Sequence, residues 1–141
     1  MPVFLKYGHI RGDVAEPAHR GWIELTSAHL GASRRVPPRD KPPEEPRGPA
    51  LPTEIILTKG ADSASVHLQR EAVAGRGVDA VVDFSDADGT VYFRLELSGA
   101  RAASYSVSGS SQREDVDIPV ERITLRFSQV EFKNSPGTPP P

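Results

Sequence analysis

Apolar and polar residues alternate along most of the chain, and a period of two predicts β-strands with one buried face. The run VYFRLEL at residues 91–97 shows the pattern clearly, because every second side chain is apolar. Similar runs predict seven strands, which are, in chain order, PVFLKYGHI, HRGWIELTSAHL, TEIILTKG, VDAVVDF, VYFRLEL, SYSVSG and ERITLRFSQVEFK. The predicted fold class is therefore mainly β.

Two of these strands predict a β-hairpin over residues 78–97. The pair Asp88-Gly89 lies between them and is a strong turn signal. On the first strand, Asp79 and Asp83 are predicted to point outward, away from the apolar side chains. The acidic turn SDADG also resembles half of a calcium-binding loop, but it lacks the other ligand positions, so the turn is the better interpretation.

Two segments depart from simple alternation. In the last predicted strand the apolar residues change phase once, which predicts a β-bulge near Ser128-Gln129. The segment DSASVHLQREAVAGRG predicts the helix, with Asp62 or Ser63 as N-cap and Gly75 at its end. The elements together predict an antiparallel two-sheet β-barrel or sandwich with one α-helix.

Proline is concentrated in residues 36–52, which hold seven of the chain's 14 prolines. If this window linked two domains, the front piece would have about 30 residues, too few for a core without disulfides or metal. We therefore predict one domain at residues 1–134, with an extended proline-rich loop at 31–52 and a flexible proline-rich tail at 135–141. Composition leaves open whether the loop is a pre-ordered arm or a disordered insert.

Charge and hydropathy exclude several classes of partner. The net charge is −2 and no basic tract is present, so nucleic acid is not an expected partner. No run of about 20 apolar residues is available to insert into a membrane. The chain has no cysteine and begins without a recognisable signal peptide, which fits a reducing compartment such as the cytoplasm.

Candidate catalytic chemistry is sparse. None of the four histidines, His9, His19, His29 and His67, is spaced like a metal site, and we expect them to be solitary and exposed or partly buried. Serine and aspartate are plentiful, but no nucleophile motif accompanies them, so a small hydrolase remains only a third hypothesis. Trp22 is predicted to be a core or interface anchor. We expect no catalytic residues, no metal and no cofactor.

The order of several segments resembles that of one family. The opening MPVFLKYGHIRGDV, the helix followed by VDAVVDF, and the closing DIPVERITLRFSQVEFKNSP occur in the same order in the Hcp (haemolysin-coregulated protein) family. The resemblance covers residues 2–134, apart from a gap at the loop. It rests on the collinear order of the segments and on no single motif.

The resemblance implies a function that composition does not. Hcp proteins are the tube proteins of bacterial type VI secretion: a two-sheet barrel assembles into a homohexameric ring, and rings stack inside a contractile sheath. Implied partners are further copies, sheath and spike proteins, and small effectors held in the lumen. Implied localisation is cytoplasmic before firing and extracellular afterwards. The family role is structural.

Two departures from the family pattern leave alternatives open. In the family the loop is usually rich in glycine and serine, whereas here it is rich in proline and charged residues. Many members also carry a further strand after the equivalent of EFKNSP, where this chain has the proline-rich TPPP. A non-tube β-sandwich module that binds other proteins is therefore the alternative hypothesis. If the loop contacts a neighbouring subunit or ring, the candidate residues are Arg34, Arg35, Val36, Arg39, Lys41, Glu44, Glu45, Arg47 and Leu51. A solvated loop is the competing interpretation.

Overall fold

The computed structural model describes residues 2–31, 54–109 and 118–134. Within these residues the chain forms eight β-strands, one α-helix and one short 3-10 helix. Their bounds, in chain order, are β1 Val3–Tyr7, the 3-10 helix Pro17–His19, β2 Ile23–Leu25, β3 Ser27–Gly31, β4 Glu54–Gly60, α1 Ser65–Ala74, β5 Val78–Ser85, β6 Val91–Ser108, β7 Val120–Arg126 and β8 Gln129–Asn134.

The strands form an antiparallel barrel of two sheets. Their order is β2-β1-β5-β6-β7-β4-β3, and β8 also pairs with β6. The two ends of this order, β2 and β3, are separated along the chain only by Thr26, whose N–H donates to the carbonyl of Thr58 at 2.7 Å. The order thus returns to its start. Sheet I comprises β2, β1, β5, β8 and the first half of β6, and sheet II comprises the second half of β6, β7, β4 and β3. The predicted fold class is confirmed.

One continuous core fills the barrel. Its buried side chains come from the alternating positions of the strands, for example Leu5, Ile55, Leu95 and Leu125. Helix α1 adds Leu68 to this core, while Val73 on its far side is 84% exposed. The single helix therefore covers part of the core and leaves an outer face open.

The helix boundaries differ slightly from the prediction. The helix ends at Gly75, as predicted, but it begins at Ser65 with Ala64 in the N-cap position. Asp62 is not the N-cap, although its carboxylate accepts a hydrogen bond from the Ala64 N–H at 2.9 Å. The carboxylate still satisfies a free N–H just ahead of the first turn, which explains why the sequence signal lies two residues early.

The β5–β6 hairpin is confirmed, and its acidic turn is stabilised from within. The Asp86 carboxylate accepts hydrogen bonds from the N–H groups of Asp88 and Thr90, each at 2.9 Å. Gly89 has φ of +88°, a value that glycine adopts without strain. Asp86 of SDADG thus stabilises the turn through hydrogen bonds within it.

Strand β6 corrects the prediction that VYFRLEL and SYSVSG are two separate strands. The two runs predicted as separate strands are one strand of 18 residues, and the segment between them is also strand. At Gly99, φ is +65°, and the buried side of the strand changes there from Leu97 to Ala100. The glycine lets β6 bend from sheet I into sheet II as one strand, and the register shifts against β5 and against β7 lie close to this bend.

The predicted phase change after ERITLRF occurs at the same bend. The chain leaves β7 at Arg126 and enters β8 at Gln129, and between them the Ser128 N–H donates to the Ser98 carbonyl at 2.9 Å. Strand β8 keeps one register against β6, and the end of β7 continues that register as far as Ala102, after which the β6–β7 pairing shifts by one residue. The predicted bulge in one strand is thus a bend that two paired strands share.

The segment HRGWIELTSAHL is also divided between the sheets. It was predicted as one strand, but β2 pairs with β1 in sheet I and β3 pairs with β4 in sheet II. Of the predicted 31–52 loop only Gly31, which ends β3, belongs to the described residues. The 135–141 tail lies outside them entirely.

Candidate functional site

The connection between β1 and β2 covers the outward face of sheet I. Phe4 and Asp83 are paired neighbours on that face, and both are buried although they point away from the barrel core. His19 packs on Phe4 with ring centroids 4.5 Å apart, and Trp22 meets the other side of the imidazole edge-on at 4.7 Å. Asp83 thus points outward as predicted, but its side chain is buried because a neighbouring connection covers that position.

His19 is the centre of the first buried ion cluster, which we call the histidine cluster: Glu16, His19, Asp83 and Arg94. The Nδ1 of His19 contacts a Glu16 carboxylate oxygen, and its Nε2 lies 2.7 Å from Oδ2 of Asp83. An ionised carboxylate only accepts hydrogen bonds, so each contact places one ring nitrogen in position to donate. Arg94 completes the cluster with two hydrogen bonds to Asp83, at 2.6 and 2.7 Å.

Glu16 joins this cluster to the local backbone. Its carboxylate accepts a hydrogen bond from the Ala18 N–H at 3.0 Å, at the start of the 3-10 helix. This bond and the contact with His19 hold the pKa of Glu16 below its usual value. Arg94 also lies over the Trp22 ring, 5.9 Å from its centroid. Trp22 is thus an anchor, but for a loop on the outside of sheet I.

The expectation for the histidines holds for three of them. His9, His29 and His67 are exposed, whereas His19 is completely buried. A histidine three residues after Glu16 was the only local signal, and it could not indicate Asp83, which is 64 positions away. His19 is buried because the connection between β1 and β2 folds onto the outward face of sheet I.

The second buried group, the lysine cluster, comprises Lys59, Asp62, Ser65, Tyr105 and Glu121. Lys59 and Glu121 are both completely buried, and Lys59 Nζ lies 2.6 Å from Oε1 of Glu121 and 2.8 Å from Oδ1 of Asp62. The Ser65 hydroxyl donates to Glu121 at 2.5 Å, and the Tyr105 hydroxyl donates to the other oxygen. The cluster joins β4, β6 and β7 to the start of the helix.

Two pKa shifts follow from this arrangement. Burial alone would raise the pKa of Glu121, but hydrogen bonds from Lys59, Ser65 and Tyr105 outweigh burial and hold that pKa below its usual value. Partial burial, together with the hydrogen bond to Glu121, raises the pKa of Tyr105 to about 12. Both groups therefore keep their usual charge at neutral pH.

The lysine cluster was visible in the sequence as a departure from pattern. Lys59 is in phase with the apolar residues Ile55 and Leu57, and Glu121 is in phase with Ile123 and Leu125. Charged residues at buried positions of two neighbouring strands indicate an ion pair.

Neither cluster presents a reactive group to a substrate. His19 is held between two carboxylates and has no serine partner, and the acids and bases of both clusters are bonded to one another. In the described part of the chain no set of three or more histidine, aspartate or glutamate side chains could hold a metal ion. Among the same residues no helix is long and apolar enough to cross a membrane.

The exposed surfaces are the other candidates for function. On the outward face of sheet II lie Arg101, Arg122 and Arg126, with Glu54 as the acidic neighbour. On sheet I, Phe132 of β8 is 51% exposed and stacks on Phe93, with ring centroids 5.7 Å apart. The nine interface residues proposed from the sequence, from Arg34 to Leu51, all lie outside the described residues.

Comparison with known proteins decides the family. The family described as "Type VI secretion system effector, Hcp" matches residues 4–133. The chain belongs to the Hcp family. The match makes it a type VI secretion protein, and the alternative of a non-tube binding module is not favoured. Among curated proteins no sequence match is found.

Solved structures share the Hcp fold. A type six secretion system protein matches with a TM-score of 0.79 and 22% identity over 93% of this chain and 82% of its own. Hcp1 from Salmonella typhimurium matches with a TM-score of 0.75 and 20% identity over 94% of this chain and 85% of its own. A chain of the PVC sheath-tube complex, an extracellular contractile injection system in its extended state, gives 0.65 and 19% over 94% and 88%.

Proposed function

We propose that this Hcp family member forms homohexameric rings that stack into the inner tube of a type VI secretion system. The observation that carries the proposal is the family match over residues 4–133. The likeness to a chain of a sheath-tube complex supports it. Ring closure is also a physical solution for a small barrel with an edge strand such as β8, because contact with neighbouring copies covers such edges.

We propose a structural role without catalysis. The buried acids and bases are bonded to one another and stabilise the fold, which leaves assembly as the function of the exposed surfaces. Sheath and spike proteins are the proposed partners of the tube, and small effectors are the proposed occupants of its lumen. In this scheme the protein is cytoplasmic before firing and is then expelled by the secretion apparatus.

The test is the mass and shape of the assembly. Size-exclusion chromatography with light scattering at tens of micromolar protein should give a hexamer, and electron micrographs should show rings with a central pore. A monomer at that concentration would contradict the proposal.

The proline-rich loop remains a proposed contact between copies. Its charged residues and the flanking Val36 and Leu51 would touch a neighbouring subunit or ring. Deletion of residues 37–50 should weaken assembly without unfolding the barrel, since β3 and β4 are already paired on either side of the loop. Unchanged ring mass and unchanged polymer length after the deletion would remove the loop from the interface.

A further inference from the structure

The outward face of sheet II has a charge pattern that differs from the rest of the chain. Its three arginines, Arg101, Arg122 and Arg126, and one acid, Glu54, give a formal charge of +2 (3 − 1). The whole chain has a charge of −2, so the remaining residues carry −4 (−2 − 2). The positive charge of this face, which we call the arginine face, is therefore local.

Two of the arginines are placed directly against each other. Arg101 of β6 and Arg126 of β7 are paired neighbours across the sheet, where side chains begin only about 5 Å apart. Like charges in this position destabilise a sheet. The nearest acid, Glu54, reaches Arg126 at only 3.9 Å, and both side chains of that pair are largely exposed. Among the described residues Arg101 and Arg122 form no ion pair.

On the outward face of sheet I, in contrast, basic side chains are paired with acidic ones. Arg94 is paired with Asp83, and Lys133 with Glu96 at 2.8 Å. The arginine face lacks this internal compensation, and the connection that covers part of sheet I has no counterpart over it in the described part of the chain.

The residues between the arginines permit close approach of another chain. Small polar side chains, Ser104, Ser106 and Thr124, alternate with the arginines on β6 and β7. Arg122 and Arg126 are four residues apart on one strand, which corresponds to about 13 Å. A hydroxyl-rich surface with guanidinium groups at that spacing suits carboxylates presented along an extended peptide.

We propose that the arginine face is a docking surface for an acidic peptide segment of a partner protein. Guanidinium groups form paired hydrogen bonds with carboxylates, and arginine is enriched at protein interfaces. Phosphate is the other anion that guanidinium recognises, but the described residues of the face include no phenylalanine, tyrosine or tryptophan on which nucleic-acid bases could stack, and the chain as a whole is acidic. The inference goes beyond tube assembly, since one copy of the chain carries the whole face.

The test measures binding of a fluorescent octaglutamate peptide by anisotropy at low salt. The wild-type protein should bind it, and higher salt should weaken the complex. Arg126→Glu should weaken binding about five- to tenfold, because exposed pairs contribute up to about 1 kcal/mol and reversal adds repulsion. The double variant Arg101→Glu/Arg126→Glu should abolish it. Arg76→Glu is the matched control, because Arg76 is exposed outside the sheet and should leave binding unchanged.

Three results of the binding measurements would overturn the proposal. They are equal binding by wild-type and double variant, equal weakening by the Arg76 control, and tighter binding of a single-stranded oligonucleotide of equal charge than of the peptide. Light scattering on the same samples separates this test from ring formation. A changed oligomer mass with unchanged peptide binding would identify the face as a contact between copies and would also overturn it. Circular dichroism checks folding, and Arg101→Gln/Arg126→Gln replaces the double variant if reversal unfolds it.

Discussion

The histidine cluster and the lysine cluster perform the same task on opposite sides of the barrel wall. The histidine cluster fastens a connection to the outside of sheet I, and its Arg94 is still 39% exposed. The lysine cluster lies on the inner side of sheet II, where Lys59 and Glu121 are both completely buried. A completely buried charge is stabilised only by its partners, whereas a partly exposed charge, such as that of Arg94, can be hydrated again when its partner is lost. The two clusters should therefore differ in how badly they tolerate the loss of one residue.

The largest effect is expected from Lys59→Met. Glu121 would remain buried without its cation, which should lower the free energy of unfolding by about 3–5 kcal/mol. Urea denaturation measures the change. The double variant Lys59→Met/Glu121→Leu should recover much of the loss, because it removes the unpaired charge as well. Lys133→Met, which breaks an exposed pair with Glu96, is the control and should cost at most about 1 kcal/mol.

His19→Ala should have a smaller effect. Asp83 keeps its two hydrogen bonds from Arg94, so the loss is mainly packing against Phe4 and Trp22 and one partner of Glu16. We expect about 2–3 kcal/mol in the free energy of unfolding. Trp22 is the only tryptophan, and its fluorescence should change in the folded variant. A loss as large as that of Lys59→Met would contradict the contrast between the clusters, and His29→Ala is the exposed control.

Acid should weaken the lysine cluster through Glu121. Its pKa is lower in the folded protein than the ordinary value of 4.5, so below about pH 4.5 the unfolded chain takes up a proton that the folded chain does not. The free energy of unfolding should fall as the pH falls through this range. Urea denaturation from pH 6 to pH 3 should show a shallower fall for Lys59→Met/Glu121→Leu than for wild type. Parallel curves for the two proteins would exclude Glu121 as the source.

The smallest change in stability is expected at high pH, and it comes from Tyr105. Its pKa is raised to about 12 from the ordinary 10, so the unfolded chain loses the phenolic proton first as the pH rises. Stability should therefore decline between pH 10 and pH 12, and Tyr105→Phe should reduce this decline. Thermal unfolding across that range measures it. Tyr92→Phe, which changes an exposed tyrosine, should keep the wild-type decline; a decline reduced as much as in Tyr105→Phe would show that the effect is not specific to the cluster.

The pattern of apolar and polar residues predicted the features that depend on neighbouring residues in the chain. The alternation of VYFRLEL and VDAVVDF predicted the hairpin, and the phase change in ERITLRFSQVEF marked the bend between the sheets. The burial of Asp83 could not be predicted in this way, because it depends on His19 and Trp22, which fold onto the strand from far away in the chain. Lys59 lies between these cases, since its place among apolar positions was visible but its partner Glu121 was 62 residues distant.

The bend at Gly99 has a mechanical consequence. Because β6 is one continuous strand that pairs with β5 and β8 in sheet I and with β7 in sheet II, sheet I cannot slide over sheet II without breaking hydrogen bonds made by β6. Two sheets held together only by apolar contacts would slide past each other under a force applied along the barrel wall. In a subunit of the proposed tube, a force applied to one sheet would pass to the other along the covalent backbone of β6.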